Sequence, residues 1–303
     1  MTARTVPGPV PGPASGPGPA VAPATGSARR GRPRRSSALT IGAVLVGLVL
    51  AMALVSLVWT PMSPTATDPL NRLQSPSGTH WFGTDGLGRD VASQVMAGAR
   101  VPLLVGAVAV SISFVLGVPY GILAAMTDAG AGRWLMRWND IVQAFPPLLL
   151  AIVLAAVLGG GTGTAMIALG IGAAPGVARV VRAGALQVLS REYAVAARAA
   201  GRGRVSTAWR HVLPNLRGIL IVQASVGFAL AILAEAALSF LGLGTTAPTP
   251  SWGRMLQEAQ AFLYTQPLVI LWPGLAVAVT VLGFNLLGDG LRDRFDPRME
   301  AGR

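Results

Sequence analysis

Long stretches without charge constrain this chain more than any other feature. Residues 39–59, 101–126 and 268–288 contain no Asp, Glu, Lys or Arg, residues 218–241 contain only Glu235, and residues 141–178 form a run of 38 with no charge at all. About 20 apolar residues suffice to cross ~30 Å of hydrocarbon as a helix. The longest run is therefore roughly twice what one crossing requires, and must be two spans joined at Gly159, Gly160, Gly161, Thr162 and Gly163. A composition of 52% hydrophobic and only 12% charged residues excludes an ordinary soluble domain. In lipid the backbone must satisfy itself, so runs of this length predict an all-α, polytopic membrane protein. Its six spans are expected near 39–59, 101–126, 141–158, 164–182, 218–241 and 268–288.

Residues 1–38 form a Pro/Gly/Arg-rich segment, with Arg29, Arg30, Arg32, Arg34 and Arg35 directly before the first apolar run. Residues 1–28 lack apolar periodicity and are expected to be a disordered tail. A cleaved secretory or twin-arginine signal is the competing reading of this end. The apolar run is long for such a signal and lacks a small-x-small site before Trp59, Thr60 and Pro61, which favours a retained span. Residues 61–100 are read as a polar segment, 128–140 as a short charged loop, and 242–266 as a polar loop. Pro146, Pro147 and Pro273 are expected to kink or interrupt their helices.

All 24 basic residues are arginine. With the N-terminus inside, six lie in the first tail, two in the 128–140 loop, eight between Arg179 and Arg217, and four after the last span. Only Arg72, Arg89, Arg100 and Arg254 fall outside. The positive-inside rule thus puts both termini and the 190–215 stretch in the cytoplasm. The charge of +12 is then mostly a topology signal, and nucleic acid is not an expected partner because no aromatic stacking pattern accompanies it.

Enzymatic readings find little. No lysine is present, so the GxxxxGK[ST] loop that holds nucleotide phosphates cannot be built here. No Cys, HExxH or GxSxG occurs, and no metal site or catalytic residue is expected. His80 and His211 are read as hydrogen-bonding surface residues. Glu235, the one acid inside a span, either lines a passage or sits structurally near the outer interface, and the sequence leaves both readings open.

Residues 190–215 stand apart from the spans. Their five arginines require water, while Ala194, Ala196, Ala197, Ala199 and Ala200 predict a small-faced helix over 191–200, able to fit a partner's groove. Gly201 is placed to take the left-handed turn that ends a helix. A second short helix over 205–212 is expected to stop before Pro214.

The segment YAVAARAAGRGRVSTAWRHVLPN resembles the cytoplasmic EAA loop of ABC-importer permeases. Residues 80–100, 235–256 and 286–297 resemble the C-type permease subunit of dipeptide, oligopeptide and nickel importers. The likeness runs from about Leu39 to Arg298. It implies a type I ABC-importer permease fold over 39–298, a coupling loop at 190–215 and a C-terminal tail at 299–303. It also implies a homologous B-type permease, two ATPase subunits and an extracytoplasmic solute-binding protein as partners, with ATP and Mg held by the ATPases and no cofactor in this chain. Ala196, Ala197, Arg198, Gly201, His211, Pro214 and Asn215 are the implied ATPase-coupling residues, and Val195 stands where the family carries an acid. Peptides are the expected cargo, with nickel or another small solute as the alternative. A lone ion-coupled transporter would need further intramembrane acids besides Glu235.

Overall fold

The computed structural model describes residues 37–295. The expectations for the tail before Ser37 and for residues 296–303 lie outside the described residues. Among the described residues eleven α-helices follow in order: α1 (Ser37–Ser56), α2 (Val91–Gly98), α3 (Arg100–Met126), α4 (Ala129–Gln143), α5 (Pro147–Leu158), α6 (Thr162–Leu189), α7 (Glu192–Ala199), α8 (Arg204–Thr207), α9 (Leu213–Phe240), α10 (Trp252–Ala259) and α11 (Pro267–Phe295). No strand occurs among the described residues, only a single antiparallel bridge between Thr84 and Asp90.

Among the described residues, five helical segments are long and apolar enough to cross a membrane: Ser37–Ser56, Val91–Met126, Thr162–Leu189, Arg204–Phe240 and Pro267–Phe295. A sixth crossing would be the pair α4 and α5, which meet at 71°. The span expected over 141–158 is thus interrupted at Pro146 and Pro147, as those prolines led one to expect, and the crossing would begin earlier, in α4. Helix α5 has 12 residues, about 18 Å of rise, well short of the hydrocarbon thickness. Consecutive prolines explain the break: Pro146 is extended, with φ −56° and ψ 130°, and Pro147 opens α5 where its missing N–H costs nothing. Pro273, by contrast, lies inside an α11 that runs unbroken to Phe295.

The supposed charged loop before this pair is instead the amphipathic helix α4. It buries Gly132, Met136 and Asn139, spaced to share one face, while Trp134 and Trp138 stay 62% exposed. Asn139 donates to the Pro175 carbonyl of α6, and Arg137 sits 5.3 Å above the Trp134 ring.

Small residues set the helix spacing. On α3, a Cβ at Gly117 or Gly121 would lie 2.6 or 2.5 Å from the carbonyl oxygens of Ala174 or Ala178 on α6. Close backbone approach replaces the hydrophobic drive that lipid cannot supply. The α1–α11 seam uses the same device at Gly42, Gly283 and Gly290. Helix α9 packs against α3, α6, α10 and α11, with Phe228 stacked on Phe284 at 4.3 Å. Outward residues such as Leu48, Leu54, Val115 and Leu230 remain exposed, as lipid-facing side chains should.

Candidate functional site

Residues 190–212 connect α6 to α9. Helix α7 opens with Glu192, which suits the positive end of the helix dipole. Of its alanines, Ala194 is fully buried against the body, Ala197 is half-buried, and Ala196, Ala199 and Ala200 are exposed. One alanine therefore anchors the helix and the others present a small, smooth surface. Exposed Tyr193 and Val195 flank that surface, and Tyr193 also tilts against the His211 ring at 5.9 Å. Of Arg198 only the backbone is described, as part of α7.

The end of α7 has a defined geometry. Gly201 takes φ +79°, and the Arg202 N–H reaches back to the Ala197 carbonyl at 3.1 Å. This is the six-to-one bond of a Schellman turn, with glycine at the left-handed position. A Cβ on Gly201 would meet no atom within 4 Å, so backbone conformation alone demands the glycine. Gly203 has an ordinary φ of −65° and starts α8.

The second short helix does not stop before Pro214, contrary to expectation. Residues Ala208–Val212 form a π-helical turn, and Leu213 donates to the Ala208 carbonyl across it. Pro214 then falls in the first turn of α9, where no N–H is required of it. The wider turn, together with Asn215 Nδ2 donating to the His211 carbonyl at 2.6 Å, carries the helix past the proline. The segment Arg204–Phe240 is consequently one continuous 37-residue helical rod. Buried Thr207 and Val212 seat its base, and His211 keeps a buried Nε2 without a hydrogen-bond partner.

Glu235 lies at the other end of that rod. It is wholly buried. Its Oε1 accepts from Ser239 Oγ at 2.7 Å and Thr245 Oγ1 at 3.2 Å, and Ser239 Oγ accepts from the Thr245 N–H. Thr162 Oγ1, at the start of α6, pairs with Thr245 Oγ1 at 3.2 Å. The carboxylate thus folds the loop after α9 back over two helix ends. Gly244 and Gly253 permit this, since a Cβ on either would strike Ser239 Oγ at 2.2 Å or the Ala236 carbonyl at 2.4 Å. Trp252, also fully buried, donates to the Val95 carbonyl and ties the loop to α2.

Above this clamp, residues 61–90 and α10 form a polar cap. Arg89 pairs with Asp85 at 2.7 Å and with Glu258, which also takes Arg254 at 2.7 Å. Burial works against the Arg89 charge, but Asp85 and Glu258 outweigh it and hold the guanidinium above its ordinary value. These groups border a cavity of about 370 Å³ floored by Met255 and Phe262. His80 Nδ1 pairs with one Asp90 carboxylate oxygen at 3.0 Å, and the other oxygen caps α2 by accepting from the Ser93 N–H. Sequence reasoning missed these partnerships. A helical spacing of four could have found Glu235–Ser239 and Arg254–Glu258, whereas Asp85–Arg89 lies in a turn and Arg89–Glu258 spans 169 residues with no local signal.

Residues 117–301 match the family model described as binding-protein-dependent transport system inner membrane component. The chain is 40% identical over 272 residues to the dipeptide transport system permease protein DppC of Alkalihalophilus pseudofirmus, covering 88% of each. It is 40% identical over 234 residues to the glutathione transport system permease protein GsiD of Pectobacterium atrosepticum, covering 77% of each. It is also 43% identical over 232 residues to the di/tripeptide transport system permease protein DppC of Pseudomonas aeruginosa, again covering 77% of each. In fold it is similar to the MetNI methionine ABC transporter in an inward-facing conformation, with a TM-score of 0.56 and 20% identity, over 66% of this chain and 95% of that one. With its membrane-spanning α-helical bundle, the chain belongs to the binding-protein-dependent inner membrane component family and is an ABC-importer permease.

Proposed function

We propose that this permease carries peptides or related small solutes across the bacterial inner membrane, and that residues 190–215 are where a separate ATPase moves it. The observation that carries the coupling reading is the rod Arg204–Phe240. A push on α7 passes through the Schellman turn at Gly201 into a helix with no break before Phe240, whose far end holds the Glu235 clamp. Exposed Ala196 and Ala199 offer a close-fitting surface, and Gly201, His211, Pro214 and Asn215 supply the turn and the rigid exit. Val195 is 47% exposed beside them and brings an apolar contact in place of a charge.

Two ATPase subunits bind and hydrolyse ATP with Mg, a homologous B-type permease completes the pathway, and an extracytoplasmic binding protein delivers cargo. Both termini are cytoplasmic, by the arginine distribution. Transport is a population shift: the loaded binding protein and ATP favour the outward-facing state, and hydrolysis restores the inward-facing one. The names of the dipeptide, di/tripeptide and glutathione relatives favour small peptides as cargo. The test is uptake of a labelled dipeptide into proteoliposomes holding both permeases, the ATPases and the binding protein. ATP-dependent uptake that disappears when this chain is omitted is expected. Uptake by this chain alone, following an ion gradient, would refute the proposal.

A further inference from the structure

A groove of about 580 Å³ runs between the C-terminal half of α3 and the start of the α8–α9 rod. Phe114, Val118, Ile122 and Met126 form one wall, and Leu213 and Leu220 part of the other. From residue 114 to 126 the wall rises about 18 Å, roughly the hydrocarbon depth of one leaflet. Charge returns only at the mouth, where Arg204 and Asp128 lie 3.9 Å apart with side chains 68% and 93% exposed. Trp209, 69% exposed, stands at the same level, and Thr127 Oγ1 has no hydrogen-bond partner there.

We propose that this groove is a phospholipid site, with one acyl chain in the slot and the phosphate of an anionic headgroup on Arg204. Three features select that occupant. The apolar walls run about 18 Å, the depth of one leaflet's acyl chains, and end in charge only at the mouth. An exposed ion pair at 3.9 Å is weak, so the Arg204 guanidinium is free to exchange Asp128 for a phosphate, whose geometry it matches better. Tryptophan at the headgroup level beside an apolar slot is the arrangement found at membrane interfaces. Asp128 remains at the mouth as an acceptor for headgroup hydroxyls. Because Arg204, Ala208, Trp209 and Leu213 lie on the coupling rod, an occupied groove braces that rod against α3.

The full-length chain, purified in detergent and incubated with equimolar dioleoyl phosphatidylglycerol and phosphatidylcholine, is read by native mass spectrometry. Phosphatidylglycerol is expected to be retained about fivefold over phosphatidylcholine, the weight of one near-surface arginine on an anionic lipid. Arg204→Gln abolishes that preference, whereas Asp128→Asn, which breaks the same ion pair, keeps it. Ala208→Phe, filling the slot, lowers retention of both lipids. A photo-crosslinker at Ile122 in membranes of the assembled transporter yields a lipid adduct. Equal retention of the two lipids by the wild type, loss of preference in Asp128→Asn, or a crosslink to a polypeptide overturns the proposal. Arg204 is exposed enough that its variant keeps the fold, so the test stands even where Ala208→Phe does not fold.

Discussion

Gly201 separates backbone conformation from bulk, and so offers a sharp test of the coupling segment. Its φ of +79° lies in the left-handed region, while a Cβ there would find open space. Gly201→Ala therefore carries no steric clash, only the left-handed penalty of about 1–2 kcal/mol. That amount shifts the balance between capped and frayed α7 by a factor of about 5 to 30. Gly201→Val, β-branched, costs more, and Gly201→Asn costs less because asparagine tolerates this region. Gly203 serves as the control: it is equally open, but its φ of −65° suits any residue. Gly203→Ala should be neutral or slightly stabilising. The assay is ATP turnover and uptake measured together in the reconstituted complex. Uptake per ATP should fall in the order wild type, Asn, Ala, Val, with Gly203→Ala unchanged. Wild-type coupling in Gly201→Val, or loss in Gly203→Ala equal to that in Gly201→Ala, would refute the reasoning.

Glu235→Gln should be far milder than Glu235→Leu in thermal unfolding, since glutamine keeps an acceptor for Ser239 and Thr245 and leucine strands both hydroxyls at about 1–3 kcal/mol. Arg89→Leu leaves buried Asp85 without its ion-pair partner while Glu258 keeps Arg254, and should cost about 3 kcal/mol, read as a lowered melting temperature. Because the Arg89 proton is held more tightly in the fold than free in water, its contribution is complete at neutral pH and is lost only above the ordinary arginine range; a melting temperature that falls in Arg89→Leu by the same amount from pH 6 to 10 checks this. Gly42→Val should release α1, since even a Cβ would lie 2.4 Å from the Leu287 backbone nitrogen of α11; faster proteolysis near residue 60 is the readout.

The all-α bundle of long apolar helices was legible in the sequence, because lipid imposes one rule on the backbone and charge marks where that rule ends. The site was legible in part. The Gly201 turn follows from a local conformational need that glycine alone meets cheaply, and the prolines at 146 and 147 announced a break. The outcome at Pro214 was not legible, because whether a proline stops a helix depends on how the freed groups are satisfied nearby. Here a π turn and the Asn215 side chain do so, and the short helix became the base of a rod. Helix α4 was read as a loop because its polar face holds the charges, while its buried face is defined only by α6.

The sequence by itself determined that this chain crosses the membrane several times, holds no lysine-dependent nucleotide loop, and exposes one arginine-rich segment between spans. Those properties follow from composition along the chain, which needs no partner to act. Only the tertiary structure decided that Glu235 is buried against Ser239 and Thr245, that Arg89 joins Glu258, and that an apolar groove opens beside the rod. Each of these depends on side chains brought together from distant segments, where burial turns an ambiguous residue into a committed one.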